Sequence, residues 1–251
     1  MSYTIGFAGK GGTGKTTIAS LVIRYLAEKR DCPVLAIDAD PNANLGEMLG
    51  LEADETVVGV IDDISANIEK LPAGVTKERL IESRVQQSLG EGRGMDLLVM
   101  GRPEGPGCYC YPNSLLRGVI GKLQKAYKYI AIDNEAGLEH LSRRTDRSID
   151  YLFIISDPTA YGIRSAKRVL DLAKDLKVSR GVNHLLINRV KDGIFPLEEE
   201  IKKVGAQRVD YLPESKIIME LSARGEPINK LDEDTELVRM IYKICEDAKW
   251  H

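Results

Sequence analysis

Short apolar runs alternate with longer segments of helical periodicity along most of the chain. The short runs are rich in Val, Ile and Leu and lack polar alternation, which is typical of strands covered on both faces. In the first of the longer segments, the apolar residues recur at helical spacing, at Ile18, Leu21, Val22, Tyr25 and Leu26. This alternation predicts an α/β fold with a mostly parallel β-sheet and helices on both faces.

The pattern predicts strands at Tyr3–Ala8, Pro33–Asp38, Asp96–Met100, Lys128–Asp133, Tyr151–Ser156, Asn183–Asn188 and Arg208–Tyr211. It predicts helices at Lys15–Lys29, Asn44–Gly50, Lys77–Ser88, Ser114–Lys125, Leu138–Arg147, Gly162–Leu176, Leu197–Val204, Ser215–Ala223 and Asp234–Lys249. The stretch 51–94 is the least regular, and we interpret it as an insertion near switch I. Since no linker, repeat or low-complexity tract divides the chain, we expect a single domain over residues 1–251.

Composition narrows the class of protein. The chain has 251 residues, of which 43% are hydrophobic and 29% are charged, as is typical of a soluble globular protein. A formal net charge of −3 disfavours nucleic-acid binding. No apolar run approaches the roughly 18 residues that a membrane span requires. We therefore expect a cytoplasmic protein with neither a nucleic acid nor a membrane as its partner.

A glycine-rich loop joins the first strand to the first helix and matches the P-loop pattern Gly-x-x-x-x-Gly-Lys-Thr. Its glycines let backbone N–H groups turn onto phosphate oxygens, and the helix presents its positive N-terminal end. We expect Lys15 to reach the β- and γ-phosphates, the Thr16 hydroxyl to ligate Mg²⁺, and Thr17 to contact the α-phosphate. The predicted nucleotide-binding residues of the loop are Gly9, Gly11, Gly12, Thr13, Gly14, Lys15, Thr16 and Thr17.

Acidic residues end two further predicted strands. Asp38 and Asp40 follow the second strand, and Asp133 ends the strand that leads to Gly137. Open α/β sheets place ligand-binding groups at these strand ends. We assign Asp38 and Asp133 to the Mg²⁺ shell and expect the Gly137 N–H to sense the γ-phosphate. Asp40 resembles the switch I residue that positions or activates the attacking water, and helix capping is the alternative role for this carboxylate.

Two cysteines stand in one tripeptide, Cys108-Tyr109-Cys110, within a loop at 101–113 that we interpret as metal-binding. In an extended loop their side chains project to the same side, and a two-fold axis through the loop would complete a four-sulfur site. Soft thiolates select Zn²⁺, Cu(I), Ni²⁺ or Fe–S clusters, and ligand type does not separate Ni²⁺ from Zn²⁺. An inert or redox-active pair is the alternative.

Ordinary P-loops do not require a lysine at Lys10, and Lys10–Thr17 resembles the deviant Walker A motif of the MinD/ParA/nitrogenase-iron-protein class. In that class the early lysine contacts the nucleotide of the partner subunit. The resemblance therefore implies an ATP-bound homodimer. The catalytic residues that follow from the P-loop and this resemblance are Lys10, Lys15 and Asp40. Those assigned to the adenine site are Asn188, Arg189, Leu212, Pro213 and Glu214.

Several separate motifs together resemble the CooC family of ATPases, which insert nickel into carbon monoxide dehydrogenase. These are the P-loop at Gly9–Thr17, Asp38-Ala39-Asp40-Pro41, Cys108-Tyr109-Cys110 with Asn113-Ser114, Gly137-Leu138-Glu139-His140-Leu141 and Leu221-Ser222-x-x-Gly225-Glu226. The resemblance implies a metallochaperone whose ATP or ADP state is linked to one Ni²⁺ or Zn²⁺ ion held by Cys108 and Cys110 of both subunits. Its client would be apo carbon monoxide dehydrogenase.

Two other functions stay open. An iron–sulfur electron-transfer ATPase would resemble nitrogenase iron protein, but residues 137–150 contain no cysteine to act as its second cluster ligand. A MinD/ParA-type positioning ATPase would need a basic patch or a basic amphipathic tail. The terminal helix mixes Glu246 and Asp247 with its lysines, so we predict that it packs on the sheet.

Overall fold

The computed structural model describes residues 2–67, 74–102, 118, 121–123, 125–134, 149–191 and 195–250. The strands are β1 (Tyr3–Gly9), β2 (Val34–Ala39), β3 (Gly90–Gly92), β4 (Met95–Val99), β5 (Tyr129–Asn134), β6 (Ile149–Ser156), β7 (Ser179–Val190) and β8 (Arg208–Pro213). They form one sheet in the order β3-β4-β2-β5-β1-β6-β7-β8. Every neighbouring pair is parallel except β3 with β4. The predicted α/β fold with a mostly parallel sheet is confirmed.

Helices cover both faces of this sheet. They are α1 (Lys15–Lys29), α2 (Asn44–Leu49), α3 (Val57–Ala66), α4 (Lys77–Gln87), α5 (Ala160–Asp175), α6 (Glu198–Val204), α7 (Lys216–Arg224) and α8 (Glu236–Asp247). Short 3₁₀ helices lie at Phe195–Leu197 and Ile228–Lys230. Helices α1, α2, α7 and α8 contribute to the core on one face, and α3 to α6 contribute to the core on the other.

Alternation along each strand divides the apolar residues between the two cores. On β2, Leu35 packs with the core beneath α3 and α5, whereas the next residue, Ala36, packs with the core beneath α1 and α8. Successive side chains of a strand point to opposite faces, so a strand covered on both faces needs an unbroken apolar run. The sequence contains uninterrupted Val/Ile/Leu runs because both faces of these strands are buried.

Three elements differ from the prediction. Helix α3 lies within the stretch 51–94 that showed little regularity; Thr56 caps it by accepting a hydrogen bond from the Gly59 N–H at 3.0 Å. Strand β3 is a Gly-Glu-Gly segment with no strand propensity, and it forms only because the turn before β4 folds it back antiparallel. Strand β7 begins at Ser179, four residues before the predicted start.

The predicted helix Leu138–Arg147 and most of the predicted helix Ser114–Lys125 lie outside the described residues. Helix α8 packs on the core with Leu237, Val238, Ile241 and Ile244 buried, which confirms the packing predicted for the terminal helix. In the part of the chain that the structure describes, no helix is both long and apolar enough to cross a membrane.

Candidate functional site

The candidate site lies at the carboxyl end of β1, which is central in the sheet between β5 and β6. The chain passes from β1 to β2 on one side, and later from β5 across β1 to β6 on the other side, so the direction of the connections reverses between β1 and β5. In open α/β sheets this reversal opens a crevice at the carboxyl ends of the strands. The P-loop follows β1 and the two acidic clusters follow β2 and end β5, so the fold brings the predicted phosphate and Mg²⁺ residues to one place.

Two glycines of the P-loop occupy positions that a side chain would not tolerate. Gly9 has φ 150° and lies so close to the Ile155 carbonyl oxygen that a Cβ would clash with it. Gly14 has φ 92°, and a Cβ there would lie 2.5 Å from Asn188 Nδ2. The requirement for glycine at the two ends of the motif therefore comes from close packing against β6 and the end of β7.

Helix α1 begins directly after Gly14 with no side-chain cap. By contrast, Thr56, Thr159 and Ser215 cap α3, α5 and α7 by accepting backbone N–H bonds. The first turn of a helix leaves backbone donors without intrahelical partners, and an anion satisfies them when no side chain does. The start of α1 is thus suited to phosphate.

A cavity of about 460 Å³, here named the phosphate cavity, opens in front of α1. Lys15 lines it although only 7% of this residue is exposed, so its charge is held close to the loop. The sequence prediction omitted several lining residues, of which Ser222, Gly225 and Glu226 belong to a motif quoted only for the family resemblance. The omitted residues are Asn42, Asn44, Glu47, Met48, Ser222, Gly225 and Glu226.

Asp133, Thr16 and Asp38 form the predicted Mg²⁺ shell. The Thr16 hydroxyl donates to Asp133 Oδ2 at 2.6 Å. Asp38 and Asp133 are register partners on the adjacent strands β2 and β5. Asp38 is fully buried and accepts backbone hydrogen bonds from Leu45 N at 2.8 Å and Asp40 N at 3.1 Å. The structure therefore brings together the three side chains that the sequence assigned to this shell.

Burial makes the charged forms of the Asp133 and Asp38 carboxyl groups unfavourable. Burial and, to a lesser degree, the charge of Asp38 raise the pKa of Asp133 to about 7, against the opposing effects of Thr16 and Lys15. Burial also raises the pKa of Asp38 to about 6. Asp133 Oδ1 is buried with no hydrogen-bond partner among the described residues. An orphaned carboxylate oxygen beside a hydroxyl and a second carboxyl group fits a hard divalent cation such as Mg²⁺.

The remaining predicted catalytic residues, Asp40 and Lys10, are more exposed than Lys15. Asp40 lines the phosphate cavity, and its Oδ1 accepts hydrogen bonds from Asn42 N and Nδ2, both at 2.9 Å. Lys10 is exposed, and its carbonyl accepts a hydrogen bond from the Thr13 hydroxyl at 2.8 Å. The Thr17 hydroxyl lies 3.7 Å from Met48 Sδ and also lines the phosphate cavity.

A second cavity of about 230 Å³, here named the base cavity, adjoins the first. Asn188, Arg189, Pro213 and Glu214 line it, together with residues of α7. Asn188 and Arg189 also bond to the P-loop: Asn188 Nδ2 donates to Thr13 O and Arg189 Nη1 donates to Gly12 O, both at 2.9 Å. Leu212 is fully buried in the core and does not line this cavity, because alternation along β8 turns its side chain inward.

The predicted metal-binding pair, Cys108 and Cys110, lies outside the described residues, as does Gly137. Within the described ranges, no three His, Cys, Asp or Glu residues are grouped so as to hold a metal ion. Cys32 is partly buried and Cys245 is buried, and both are free thiols.

A third cavity, of about 490 Å³, lies beside the C-terminal half of α1. Its charged lining residues are largely paired with one another: Arg24 Nε bonds to Glu28 at 2.8 Å, and Lys29 Nζ bonds to Glu233 at 2.8 Å. It contains none of the P-loop residues. We therefore place the candidate site at the smaller phosphate and base cavities, where the loop geometry and the carboxylates coincide.

Comparison with known proteins agrees with this geometry. The family model described as CbiA, the CobQ/CobB/MinD/ParA nucleotide binding domain, matches residues 5–228. An ATP-binding protein of Methanocaldococcus jannaschii is 40% identical over 245 residues, covering 96% of each chain. The carbon monoxide dehydrogenase accessory protein CooC of Rhodospirillum rubrum is 31% identical over 185 residues, covering 69% of this chain and 70% of that one.

Solved structures of the MinD/ParA class have a similar fold. The cell division ATPase MinD of Pyrococcus furiosus superposes with a TM-score of 0.72 at 20% identity, covering 99% of both chains. At that identity the likeness speaks for the fold alone, whereas the family model spans most of the sequence and includes the P-loop. This chain belongs to the CobQ/CobB/MinD/ParA nucleotide-binding family.

Proposed function

We propose that this chain is a Mg²⁺-dependent ATPase that works as a homodimeric metallochaperone. One observation supports ATPase activity above all: the uncapped start of α1 lies next to the side chains of Thr16, Asp133 and Asp38. The first feature suits phosphate, and the second suits the cation that accompanies it. The name of the 40% identical relative, an ATP-binding protein, supports ATP as the nucleotide.

The side chains divide the work of hydrolysis between them. Lys15 and the N–H groups of the loop bind the phosphates, while Thr16, Asp133 and Asp38 hold the cation. When bound, Mg²⁺ neutralises charge that develops on the transferred phosphoryl group. Asp40, at the rim of the same cavity, orients the attacking water. Lys10 is exposed beside the loop and available to a second subunit.

The exchange Asp40→Asn tests the role of this carboxylate. Asparagine keeps a side-chain oxygen for the Asn42 N–H but loses the negative charge, so the local turn persists. We expect ATP to bind with little change while hydrolysis falls by about a hundredfold. Asp62→Asn on exposed α3 is the matched control. Unchanged hydrolysis in Asp40→Asn would assign Asp40 to capping alone.

The proposed cargo is one Ni²⁺ or Zn²⁺ ion shared by Cys108 and Cys110 of two subunits. The cysteine pair and the 31% identity to CooC over 69% of the chain support this proposal. ATP binding would draw the subunits together and set the spacing of the two cysteine loops, and hydrolysis would relax it. This linkage requires a metal affinity that differs between the nucleotide states. The client would be apo carbon monoxide dehydrogenase, in the cytoplasm.

Metal content of the purified dimer tests the cargo. We expect one Ni²⁺ or Zn²⁺ per two chains by elemental analysis, and none in the double variant Cys108→Ser/Cys110→Ser. Cys32→Ser, which removes a partly buried thiol elsewhere, is the control and keeps the metal. Stoichiometric metal retained by the double variant would refute the site. An iron chromophore would favour the electron-transfer ATPase.

The second candidate is a positioning ATPase that acts on DNA or on a membrane. The superposition on MinD supports it at the level of the fold. Against a membrane-binding tail stands α8, whose apolar side chains are already buried in the core. Sedimentation with DNA or anionic vesicles in the presence of ATP separates the candidates, since the metallochaperone would remain in the supernatant.

A further inference from the structure

We propose that Arg189 is a positioning residue that holds the P-loop in its phosphate-binding conformation. This inference deepens the proposed nucleotide binding and rests on it for its ligand. Sequence reasoning placed Arg189 with Asn188 against the adenine. The structure shows the Arg189 guanidinium donating to the Gly12 carbonyl at 2.9 Å.

The backbone at this position departs from regular strand geometry. The register of β7 against β8 shifts between Ile187 and Val190. Arg189 has φ 61°, a left-handed conformation that is uncommon for a residue with a side chain. A bulge re-aims the side chains of its strand, and strained backbone concentrates at functional sites. Here the bulge directs two consecutive side chains of β7 at the P-loop.

The two side chains bind consecutive carbonyls of the loop. Asn188 Nδ2 donates to Thr13 O, and Arg189 Nη1 donates to Gly12 O. The carbonyl and the N–H of a planar peptide point in opposite directions. Holding Thr13 O on Asn188 therefore turns the Gly14 N–H away from β7, toward the phosphate cavity that Gly14 lines.

Asn188 is hydrogen-bonded both to the P-loop and to the backbone of Arg189. Its Oδ1 accepts a hydrogen bond from the Arg189 N–H at 3.0 Å, so the amide joins the bulge to the loop. Asn188 is buried, whereas Arg189 is exposed and lines both the phosphate cavity and the base cavity. The exposed arginine can therefore be exchanged with less disturbance of the core than the buried asparagine.

The test separates a bond to the loop from a bond to the base. Arg189→Met removes the donor but keeps a long side chain, and Arg189→Gly removes the side chain while relieving the left-handed backbone. We expect both variants to bind ATP and inorganic triphosphate more weakly by the same factor, roughly tenfold. If only ATP binding weakens, Arg189 is a base contact and the proposal is wrong.

Hydrogen exchange of the ligand-free protein gives a readout that needs no nucleotide. We expect the peptide spanning residues 9–17 to exchange faster in both variants than in the parent chain. Arg180→Met is the matched control, because it removes an exposed arginine from the other end of β7 and should change neither exchange nor affinity. Unchanged exchange of the P-loop would overturn the proposal even if the protein proved to bind no ATP.

Discussion

At the scale of single residues, the carboxylate oxygen Asp133 Oδ1 supports the proposed cation site. It is buried without a partner among the described residues, while its sister atom Oδ2 holds the Thr16 hydroxyl. Leaving a buried polar atom unsatisfied costs about 1–3 kcal/mol, so such an atom in a folded protein calls for an explanation. A cation bound between Asp133 and its register partner Asp38 is the explanation that the proposed function offers.

His184 is a buried ionisable residue in the middle of β7, outside the residues that line the candidate site. Tyr151 Oη lies 2.8 Å from its Nδ1, and Asp210 Oδ2 lies 2.8 Å from its Nε2. Burial lowers the pKa of His184 to about 4 and outweighs the opposing effect of Asp210. The folded state therefore favours the neutral ring.

Acid should destabilise the protein through this histidine. The unfolded chain takes up the proton near pH 6.5, whereas the folded chain takes it up only near pH 4. The stability of the folded state is thus unaffected by this group above pH 6.5 and falls as the pH drops toward 4, by on the order of 3 kcal/mol. We expect His184→Gln, measured by urea unfolding from pH 7.5 to 4.5, to show a shallower decline than the parent chain. Parallel declines would contradict the shift.

At the scale of elements, α8 connects the end of the described chain to the core. Ile241 is fully buried, Tyr242 meets Tyr25 of α1 edge-on with ring centroids 5.2 Å apart, and Trp250 packs against Tyr151 at 5.5 Å. The Tyr242 hydroxyl also donates to Glu28 at 2.7 Å. Helix α8 is therefore one of the helices that pack on this face of the sheet.

Truncating the Ile241 side chain tests how much the packing of α8 contributes to the free energy of unfolding. We expect Ile241→Ala to lower the free energy of unfolding by about 3 kcal/mol, because it removes apolar contacts and leaves a cavity. Arg239→Ala on the exposed side of α8 is the control and should stay within about 0.5 kcal/mol. A detached amphipathic tail would give the opposite result, with stability unchanged and weaker binding to vesicles.

The helices and strands differ in how far the sequence alone predicts them. Strand β2 and helix α1 were predictable because burial on both faces, or on one stripe, leaves a pattern that propensity supports. The sequence also carries a signal for α3, in the cap Thr56 and in apolar residues at helical spacing, Val57, Val60, Ile61 and Ile64. Strand β3 carried no signal, since only its hairpin partner defines it.

The site divides in a similar way. The P-loop, Asp38 and Asp133 follow from strand ends and motif spacing, so their convergence was predictable. The contact of Arg189 with Gly12 was not, because it depends on a bulge that joins positions 177 residues apart. The interior placement of Leu212 depends on which face of β8 each side chain takes, and its three-residue motif did not reveal that face.

At the scale of the whole molecule, the exposed Lys10 links the nucleotide site to the proposed dimer. Lys10 shares its loop with Lys15, yet Lys15 is 7% exposed whereas Lys10 faces outward. Under the proposed function, this burial keeps Lys15 for the nucleotide of its own subunit. An outward lysine at the mouth of a phosphate site is placed to meet a second subunit's phosphates, where its charge would be stabilising only after dimerisation.

Exchange of Lys10 tests whether the dimer forms across the nucleotides. In an Asp40→Asn background, which should preserve the ATP-bound state, we expect ATP to shift the parent chain from monomer to dimer in sedimentation velocity runs. Adding Lys10→Ala should abolish that shift while ATP still binds the monomer within a few-fold, because the nucleotide's own subunit supplies Lys15. Lys243→Ala on the exposed side of α8 removes the same charge and should dimerise normally. An undiminished dimer without Lys10 would make this lysine an ordinary solvated residue and would leave the two cysteine loops without a nucleotide-dependent way to meet.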